Sequence, residues 1–207
     1  MASVDPWTAD HSATNLREPS HKLKSAGHRT TLRASPGYQN MIEIREERSG
    51  DLAAIREVNK LAFGQDQEGD IVDALRSNGA ALLSLVAMLN DRVVGHIMYS
   101  AASVGGKVTG AALGPMAVLP AYQRQGIGTK LVETGNRKLK EAACPFIIVV
   151  GYAEYYPRFG FEAASAHGIT CEWAVPDDVF MLLVLDQEEM QGVSGLARYR
   201  QEFSSVS

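Results

Sequence analysis

Hydrophobic and polar residues follow two different periodicities in the first regular part of the chain. The segment MIEIREE alternates between apolar and polar residues, which predicts a β-strand. Asp51 stands at the N-cap position of a predicted helix that runs through Ala62. The apolar face of this helix is formed by residues at helical spacing: Leu52, Ile55, Val58, Leu61 and Ala62. A polar, glycine-containing break over residues 63–69 then precedes a second, shorter helix, which is predicted to begin near Asp70.

Three apolar strands are predicted next. LLSLVAML and RVVGHIMYSAASV are separated by Asn90-Asp91, and this arrangement is typical of a β-hairpin. A second turn at Gly105-Gly106 leads into the third strand, VTGAALGPMAVLP. Because all three segments are largely apolar, we expect the sheet that they form to be covered by other elements.

A longer helix is predicted after these strands, from the glycines near position 126 to about Ala143. Its apolar stripe consists of Ile127, Leu131, Val132 and Leu139. The continuous apolar segment PFIIVVG then predicts a buried strand. Because the helix connects the strand ending at Val118 with the strand around Ile147, we expect these two strands to be parallel neighbours.

The C-terminal third is predicted to complete the sheet. YYPRF indicates a short helix or turn, and ITCEWAVP and VFMLLVLD indicate two further strands. The order of strands and helices therefore predicts an α/β (α+β) fold, with a mixed sheet and helices on both of its faces.

Composition narrows the classes of function. The chain has 207 residues, is 45% hydrophobic and carries a formal net charge of −4. We expect no nucleic-acid partner, because there is no surplus of basic residues to neutralise phosphates. No apolar run approaches the roughly 20 residues that cross a bilayer, and the N-terminus has no apolar core of a signal peptide, so no membrane partner is expected. The two cysteines, Cys144 and Cys171, are expected to be buried reduced thiols of a cytoplasmic protein.

The first 40 residues differ from the rest in having little apolar periodicity and many Ser, Thr, His and Pro residues. We interpret residues 1–40 as a flexible N-terminal extension, and residues 41–207 as the folded domain. A transit peptide, or a natural start at Met41, are the alternatives. Three histidines of the extension lack the spacing of metal ligands, so no metal site is predicted there: His11, His21 and His28.

The segment Gln123–Gly128, QRQGIG, resembles a phosphate-binding loop. Helix N-termini have free N–H groups and a positive dipole end, and glycines allow an anion to approach the backbone. A dinucleotide fingerprint needs a third glycine where Leu131 stands, and a P-loop needs another order of residues than Gly128-Thr129-Lys130. The pattern [QR]-x-x-G-x-[GA], found in the pyrophosphate loop of CoA-dependent acyltransferases, is matched completely.

Two flanking features agree with that ligand. Pro115 lacks an N–H and follows Gly114, so the strand before the loop is predicted to contain a β-bulge. A bulge leaves backbone groups unpaired, and an extended amide-bearing molecule such as pantetheine could bind them. Downstream, Tyr156 lies four residues before Gly160-Phe161, and a tyrosine hydroxyl can donate a proton to a developing thiolate. An aromatic cluster that packs on the sheet end is the structural alternative.

Together these motifs resemble the GNAT N-acetyltransferase superfamily and, within it, the YhbS-like group of predicted acetyltransferases. The resemblance covers about Met41 to Phe203. The segments that carry it are MIEIREE, LGPMAVLPAYQRQGIGTKLV, GYAEYYPRFGFE, VPDDVFMLLVLD and SGLARYRQEF.

The resemblance implies a mixed sheet of six or seven strands, splayed into a V between the strands that end near Val118 and Val150. It implies acetyl-CoA as cosubstrate, bound in that V. By motif matching, the cofactor-binding residues are Met116, Ala117, Val118, Arg124, Gln125, Gly126, Ile127, Gly128 and Thr129. Gln123 is expected to shape the loop rather than to bind the ligand.

The resemblance also implies direct transfer of the acetyl group to a primary amine of a small molecule or peptide. A backbone N–H near the bulge would stabilise the oxyanion, and Tyr156 would be the catalytic acid. Tyr155 is the substitute if the register differs by one residue. No general base is identified; the candidates are Glu68, Asp70, His96 and Glu154.

Three functions remain open from the sequence. The first is an active N-acetyltransferase, and the second is a non-catalytic acyl-CoA-binding regulatory module on the same fold. The third is a different nucleotide-binding α/β protein. The resemblance allows a homodimer, but no interface is specified, and the amine acceptor cannot be derived from the sequence.

Overall fold

A computed structural model describes residues 41–204 of the chain. The predicted extension over residues 1–40, with its three histidines, lies outside this described part. The β-strands are β1 Glu43–Glu46, β2 Ala81–Leu89, β3 Arg92–Val104, β4 Val108–Val118, β5 Phe146–Val150, β6 Glu162–Ala163, β7 Ile169–Cys171, β8 Phe180–Val184 and β9 Gly195–Arg198. The α-helices are α1 Leu52–Phe63, α2 Gln67–Ser77 and α3 Ile127–Glu141.

The predicted order of elements is confirmed, with differences at the short ones. Helix α2 begins at Gln67, three residues before the predicted Asp70. The β2–β3 hairpin turns at Asn90 and Asp91, which both have positive φ angles, 49° and 62°. Strands β6 and β9 were not predicted, because segments of two and four residues are too short to show a period.

Helix α1 differs from its prediction in its cap and in its buried face. Asp51 precedes the helix, but its carboxylate makes no cap to α1; it accepts hydrogen bonds from the Arg48 N–H and the Arg45 guanidinium, each at 2.7 Å. The side chains of Leu52 and Leu61 are not part of the core, since these residues are 37% and 48% exposed. The buried row of α1 is formed by Ile55, Val58 and Asn59.

Within residues 41–204, the strands form one mixed sheet of nine strands, of which seven follow the order β1-β2-β3-β4-β5-β8-β6. Strand β9 pairs with the end of β3, and β7 pairs with β9. The β4–β5 pair is parallel, as predicted from the helix that connects them. Its paired residues are Ala111 with Ile147 and Ala112 with Ile148, although β4 continues to Val118 and β5 to Val150. The sheet therefore opens between these two strands, in the V-shaped arrangement that was expected.

Helices α1 and α3 lie on opposite faces of the sheet. Adjacent residues of β3 point to opposite faces, and a Cβ on Gly95 would be 3.1 Å from the side chains of Ile127 and Leu131 of α3. The next residue, His96, contacts the side chain of Asn59 on α1. Helix α3 presents its predicted apolar stripe to the sheet, and all four residues of that stripe are buried.

Within residues 41–204, the helices are all too short or too polar to cross a membrane. Cys144 and Cys171 are free thiols, and both are half-buried rather than buried as expected.

Candidate active site

A β-bulge interrupts β4 where Gly114-Pro115 predicted it. Ile97 of β3 pairs with Met116, whereas Tyr99, two residues further along β3, pairs with Leu113. Three steps on β4 therefore face two steps on β3, and one extra residue is accommodated at Gly114-Pro115. The peptide bond between Gly114 and Pro115 is cis. The bulge lies directly beyond the last paired residues of β4 and β5, so it lies inside the opening of the sheet.

The main chain of β4 has free groups on the open side of the bulge. The Leu119 N–H donates to the Val94 carbonyl, so Leu119 faces β3. Backbone groups alternate between the two edges of a strand, so those of Ala117 also face β3, and those of Met116 and Val118 face the opening. Of the three predicted strand residues, Met116 therefore presents its main-chain groups to the opening and Val118 its N–H, since the Val118 carbonyl accepts a hydrogen bond from Gln123. Ala117 supports the sheet.

The loop before α3 has an unusual run of free N–H groups. Within the described part of the chain, the backbone N–H groups of residues 124–129 donate to no acceptor. Gly126, the N-cap of α3, has a φ angle of 82°, a left-handed conformation that favours glycine, and a Cβ there would meet no atom within 4 Å. Such a cluster of free donors at the positive end of a 15-residue helix binds anions.

Two glutamine side chains hold this loop in shape. Gln123 Nε2 donates to the Val118 carbonyl at 3.0 Å, as expected for a residue that shapes the loop. Gln125 Nε2 donates to the Ala121 carbonyl at 3.1 Å. Only the main chain of Gln125 thus remains for a ligand. Arg124 is exposed and has a positive φ angle of 58°, so its guanidinium is accessible to solvent beside the free N–H groups.

The two adjacent tyrosines occupy different places. The hydroxyl of Tyr155 lies against the start of α3, 2.8 Å from the position that a Cβ on Gly128 would take. The guanidinium carbon of Arg158 lies 3.9 Å from the centre of the Tyr155 ring. Gly128 therefore has a different role from Gly126, because its missing side chain makes room for a tyrosine.

Tyr156 is buried, with 6% of its surface exposed. Its ring packs edge-on against Tyr155 and Phe161, at centroid distances of 5.1 and 5.5 Å, and contacts Gly151 at the end of β5. Among residues 41–204 its hydroxyl has no hydrogen-bond partner. Burial, and then the neighbouring hydroxyls of Tyr155 and Tyr152, raise the pKa of Tyr156 above its usual value of 10.0, so the phenol keeps its proton at neutral pH.

Each candidate base is either engaged by other side chains or exposed. His96 is fully buried between Asn59 Nδ2 at 3.1 Å and Ser84 Oγ at 3.0 Å. Burial lowers its pKa to about 4, although the Glu47 carboxylate acts in the opposite direction. Asp70 forms an ion pair with Arg56, and Glu154 is exposed. Glu68 is 7% exposed and accepts hydrogen bonds from Gln65.

An aromatic cluster near the bulge was missed by sequence reasoning. It consists of Trp173, Tyr199 and Phe203, which follow β7 and β9 and lie close to one another only in the folded chain. No periodicity links these positions, although ARYRQEF belongs to one of the segments that carried the family resemblance.

Among the described residues, no group of three or more His, Cys, Asp or Glu side chains could hold a metal ion.

Comparisons with known proteins agree with this geometry. The sequence profile of the Acetyltransferase (GNAT) family matches residues 51–161. The uncharacterised N-acetyltransferase YjhQ of Escherichia coli is 37% identical over 62% of this chain and 74% of its own length. The uncharacterised N-acetyltransferase YhbS of the same organism is 31% identical over 78% of this chain and 98% of its own.

Two solved structures are similar over most of the chain. The crystal structure of Escherichia coli YhbS in complex with CoA has a TM-score of 0.78 and 29% identity, and the match covers 83% of this chain and 96% of YhbS. A GNAT family acetyltransferase from Brucella melitensis in complex with acetyl-CoA has a TM-score of 0.67 and 36% identity, with 80% and 99% covered. With its bulged β4, open sheet and free helix N-terminus, this chain belongs to the GNAT acetyltransferase family.

Proposed function

We propose that the protein is an acetyl-CoA-dependent N-acetyltransferase that acts on a primary amine of a small molecule or peptide. The observation that carries the proposal is the run of free N–H groups over residues 124–129, next to the free edge of β4. The CoA and acetyl-CoA complexes of the two similar structures support it. A nucleotide-binding α/β protein of another family is no longer an alternative, because this chain belongs to the GNAT acetyltransferase family.

The residues present fit the cosubstrate. The N–H groups of residues 124–129 would hold the pyrophosphate, with Ile127 and Gly128 in the first turn of α3 and Thr129 half-buried beside them. The main-chain groups of Met116 and the N–H of Val118 would pair with the amides of pantetheine. Bound there, acetyl-CoA would supply a thioester whose carbonyl a neutral amine can attack, forming a C–N bond and breaking the C–S bond.

Tyr156 would hold the proton for the leaving sulfur. Its raised pKa keeps the hydroxyl protonated, so it can donate to a developing thiolate and then recover a proton from solvent. A free N–H of β4, on Met116 or Val118, would stabilise the oxyanion. Tyr155 is the weaker candidate for the acid, because its hydroxyl lies against Gly128 at the start of α3.

The non-catalytic acyl-CoA-binding module remains as the second candidate. One observation favours it: His96 is buried with both ring nitrogens in contact with other side chains, and Asp70 is paired with Arg56. If the enzyme has no side chain that acts as a general base, the amine must lose its proton to solvent. The two candidates differ in turnover and not in ligand binding.

A thiol-release assay separates the two candidates. Acetyl-CoA would be incubated with the full-length chain and a set of primary amines, and free CoA would be measured with a thiol reagent. Thermal stabilisation by CoA serves as the control for binding. Amine-dependent release supports the enzyme. Thermal stabilisation by CoA without thiol release from any amine would favour the binding module. If neither stabilisation nor release is observed, both candidate functions are refuted.

A further inference from the structure

Three aromatic side chains from separate segments form a cluster on the C-terminal side of the sheet. The rings of Trp173 and Tyr199 are 4.4 Å apart and inclined by 32°. Tyr199 and Phe203 meet edge-on at 5.6 Å, with 76° between their planes. All three residues are partly exposed, so the cluster is not closed within the core.

The cluster adjoins the bulge. A Cβ on Gly114 would lie 3.8 Å from the Phe203 ring, which is the nearest group to that position. The aromatic cluster therefore borders the opening of the sheet at the bulge.

The cluster lies on the face of the sheet opposite α3. Trp173 and Tyr199 pack against an apolar group that includes Ala102 and Ala112. Ala112 pairs with Ser100, which points to the same face of β3 as His96, and that face contacts α1. An acceptor bound at the cluster would therefore approach the opening from the side opposite the helix whose N-terminus would bind the pyrophosphate.

The hydroxyl of Tyr199 is an unpartnered polar group. It is buried, and within residues 41–204 it makes no hydrogen bond. A buried hydroxyl without a partner destabilises a fold, so such groups are commonly completed by a ligand or water. This hydroxyl belongs to a cluster beside the bulge, and it suits a ligand that has a polar end.

The charges around the cluster do not favour a polycation. Glu172 accepts a hydrogen bond from the Tyr199 N–H and lies 4.0 Å from the Arg198 guanidinium. Glu202 forms an ion pair with Arg200 at 3.0 Å. Each carboxylate thus lies beside an arginine, and what remains accessible is an apolar aromatic surface, with the unpartnered Tyr199 hydroxyl buried beneath it.

We propose that Trp173, Tyr199 and Phe203 form the acceptor-binding wall, and that the acceptor is a primary amine attached to a flat aromatic group. Its ring packs on the Trp173 side of the wall, and its amine donates a hydrogen bond to the Tyr199 hydroxyl. The apolar surroundings favour the neutral amine, which is the nucleophilic form. This inference rests on the proposed acetyl transfer, but binding at the wall can be measured without turnover.

The test uses two amines of the same carbon skeleton. 2-Phenylethylamine has a flat ring and 2-cyclohexylethylamine a puckered one, while spermidine represents polycations. Transfer rates with all three are measured for the full chain, Trp173→Leu, Tyr199→Phe and the control Leu82→Ala, whose side chain is exposed on β2. Binding is followed by Trp173 fluorescence in a Trp7→Phe background with CoA present, since the chain has two tryptophans.

We expect 2-phenylethylamine to have the highest kcat/KM and to quench Trp173 saturably. Trp173→Leu should raise its KM about tenfold, as expected for the loss of an aromatic contact, without changing the Kd of acetyl-CoA. Tyr199→Phe should raise the same KM, and Leu82→Ala should change nothing. Equal use of both ring amines, a preference for spermidine, or an unchanged KM in Trp173→Leu would overturn the inference and leave the proposed function intact. Saturable quenching of Trp173 without acetyl transfer would uphold the acceptor-binding wall and refute the proposed function. If neither quenching nor transfer is observed, the wall and the proposed function are both overturned.

Discussion

The hydroxyl of Tyr155 lies against Gly128, 2.8 Å from the position that a Cβ there would occupy. Its neighbour Tyr156 turns the other way and packs its ring on Gly151, at the end of β5. Two adjacent tyrosines thus contact the two sides of the opening, one at the start of α3 and the other below β5. The absence of a side chain at each glycine allows these positions.

Gly128→Ala should disturb the cosubstrate loop through Tyr155. Contacts of a Cβ below 3.0 Å essentially never occur, so either Tyr155 or the first turn of α3 must shift. We expect the Kd of CoA to rise about tenfold, a loss on the order of 1.4 kcal/mol. Isothermal titration would measure it.

A second substitution and a control make this result specific. Adding Tyr155→Ala to Gly128→Ala removes the contact and should restore most of the affinity. Gly50→Ala introduces a Cβ that meets no atom within 4 Å and should leave the Kd unchanged. If the double variant binds CoA as weakly as Gly128→Ala alone, Tyr155 is not the cause.

Tyr156→Phe should reduce turnover without affecting cosubstrate binding. The variant keeps the buried ring and loses only the hydroxyl, so its packing on Phe161 is retained. We expect kcat to fall by about 100-fold, the lower end of the range for a general acid, with the Kd of acetyl-CoA within twofold. Tyr155→Phe is the matched control and should keep most of its kcat. The reverse ranking of the two variants would transfer the acid role to Tyr155.

Gly126→Val should weaken the binding of CoA more than the binding of pantetheine. The side chain would stand beside the free N–H groups of residues 124–129, which we assign to the pyrophosphate, and pantetheine lacks that group. The left-handed φ angle of 82° adds a cost of about 1–2 kcal/mol in a non-glycine residue, so unliganded thermal unfolding must be measured as well. An equal loss of affinity for both ligands would show that the loop does not bind the pyrophosphate.

His96 should make the fold sensitive to mild acid. Burial lowers its pKa from 6.5 to about 4, so between these values the unfolded chain binds a proton that the folded chain does not. The free energy of unfolding should therefore rise with pH from about 4 to 6.5, by up to about 3 kcal/mol, and level off above.

Urea unfolding at several pH values tests this slope against His96→Gln. The carboxylates with lowered pKa values, such as Glu47 and Asp51, lose their contribution only at lower pH, below the ordinary carboxyl values of 4.5 and 3.8. Between about pH 5 and 6.5 the wild type should show a slope that the variant lacks. If the free energies of unfolding of the wild type and of His96→Gln change in parallel with pH, His96 does not cause the slope.

The sequence predicted the parts of the site that lie in regular or locally determined structure. The stripe of α3 has four apolar residues at helical spacing, and Gly114-Pro115 determines a bulge by its own chemistry. The face of α1 was predicted less well, because Leu52 and Leu61 satisfy the period and are nevertheless exposed, while Asn59 is buried. Periodicity identifies a face, but packing decides which residues of it the sheet covers.

The remaining parts of the site depend on contacts between distant segments. Phe203 reaches Gly114 because β9 pairs with β3. The four residues of β9 are too few for the sequence to predict this pairing. The partly buried ionic and hydrogen-bonded chain from Arg76 through Glu47 and Ser84 to His96 likewise joins separate elements. These contacts removed His96 from the list of bases that the sequence had left open.

Transfer of a labelled acetyl group would show directly whether the protein acetylates an amine. Acetyl-CoA carrying ¹³C in the acetyl carbonyl would be incubated with the full chain and 2-phenylethylamine or the best amine of the thiol-release assay, and followed by NMR. We expect the carbonyl signal of an acetylated amine that grows in step with free CoA and is nearly lost in Tyr156→Phe. A label that stays on CoA with every amine, or that appears only as acetate, would contradict the proposed N-acetyl transfer.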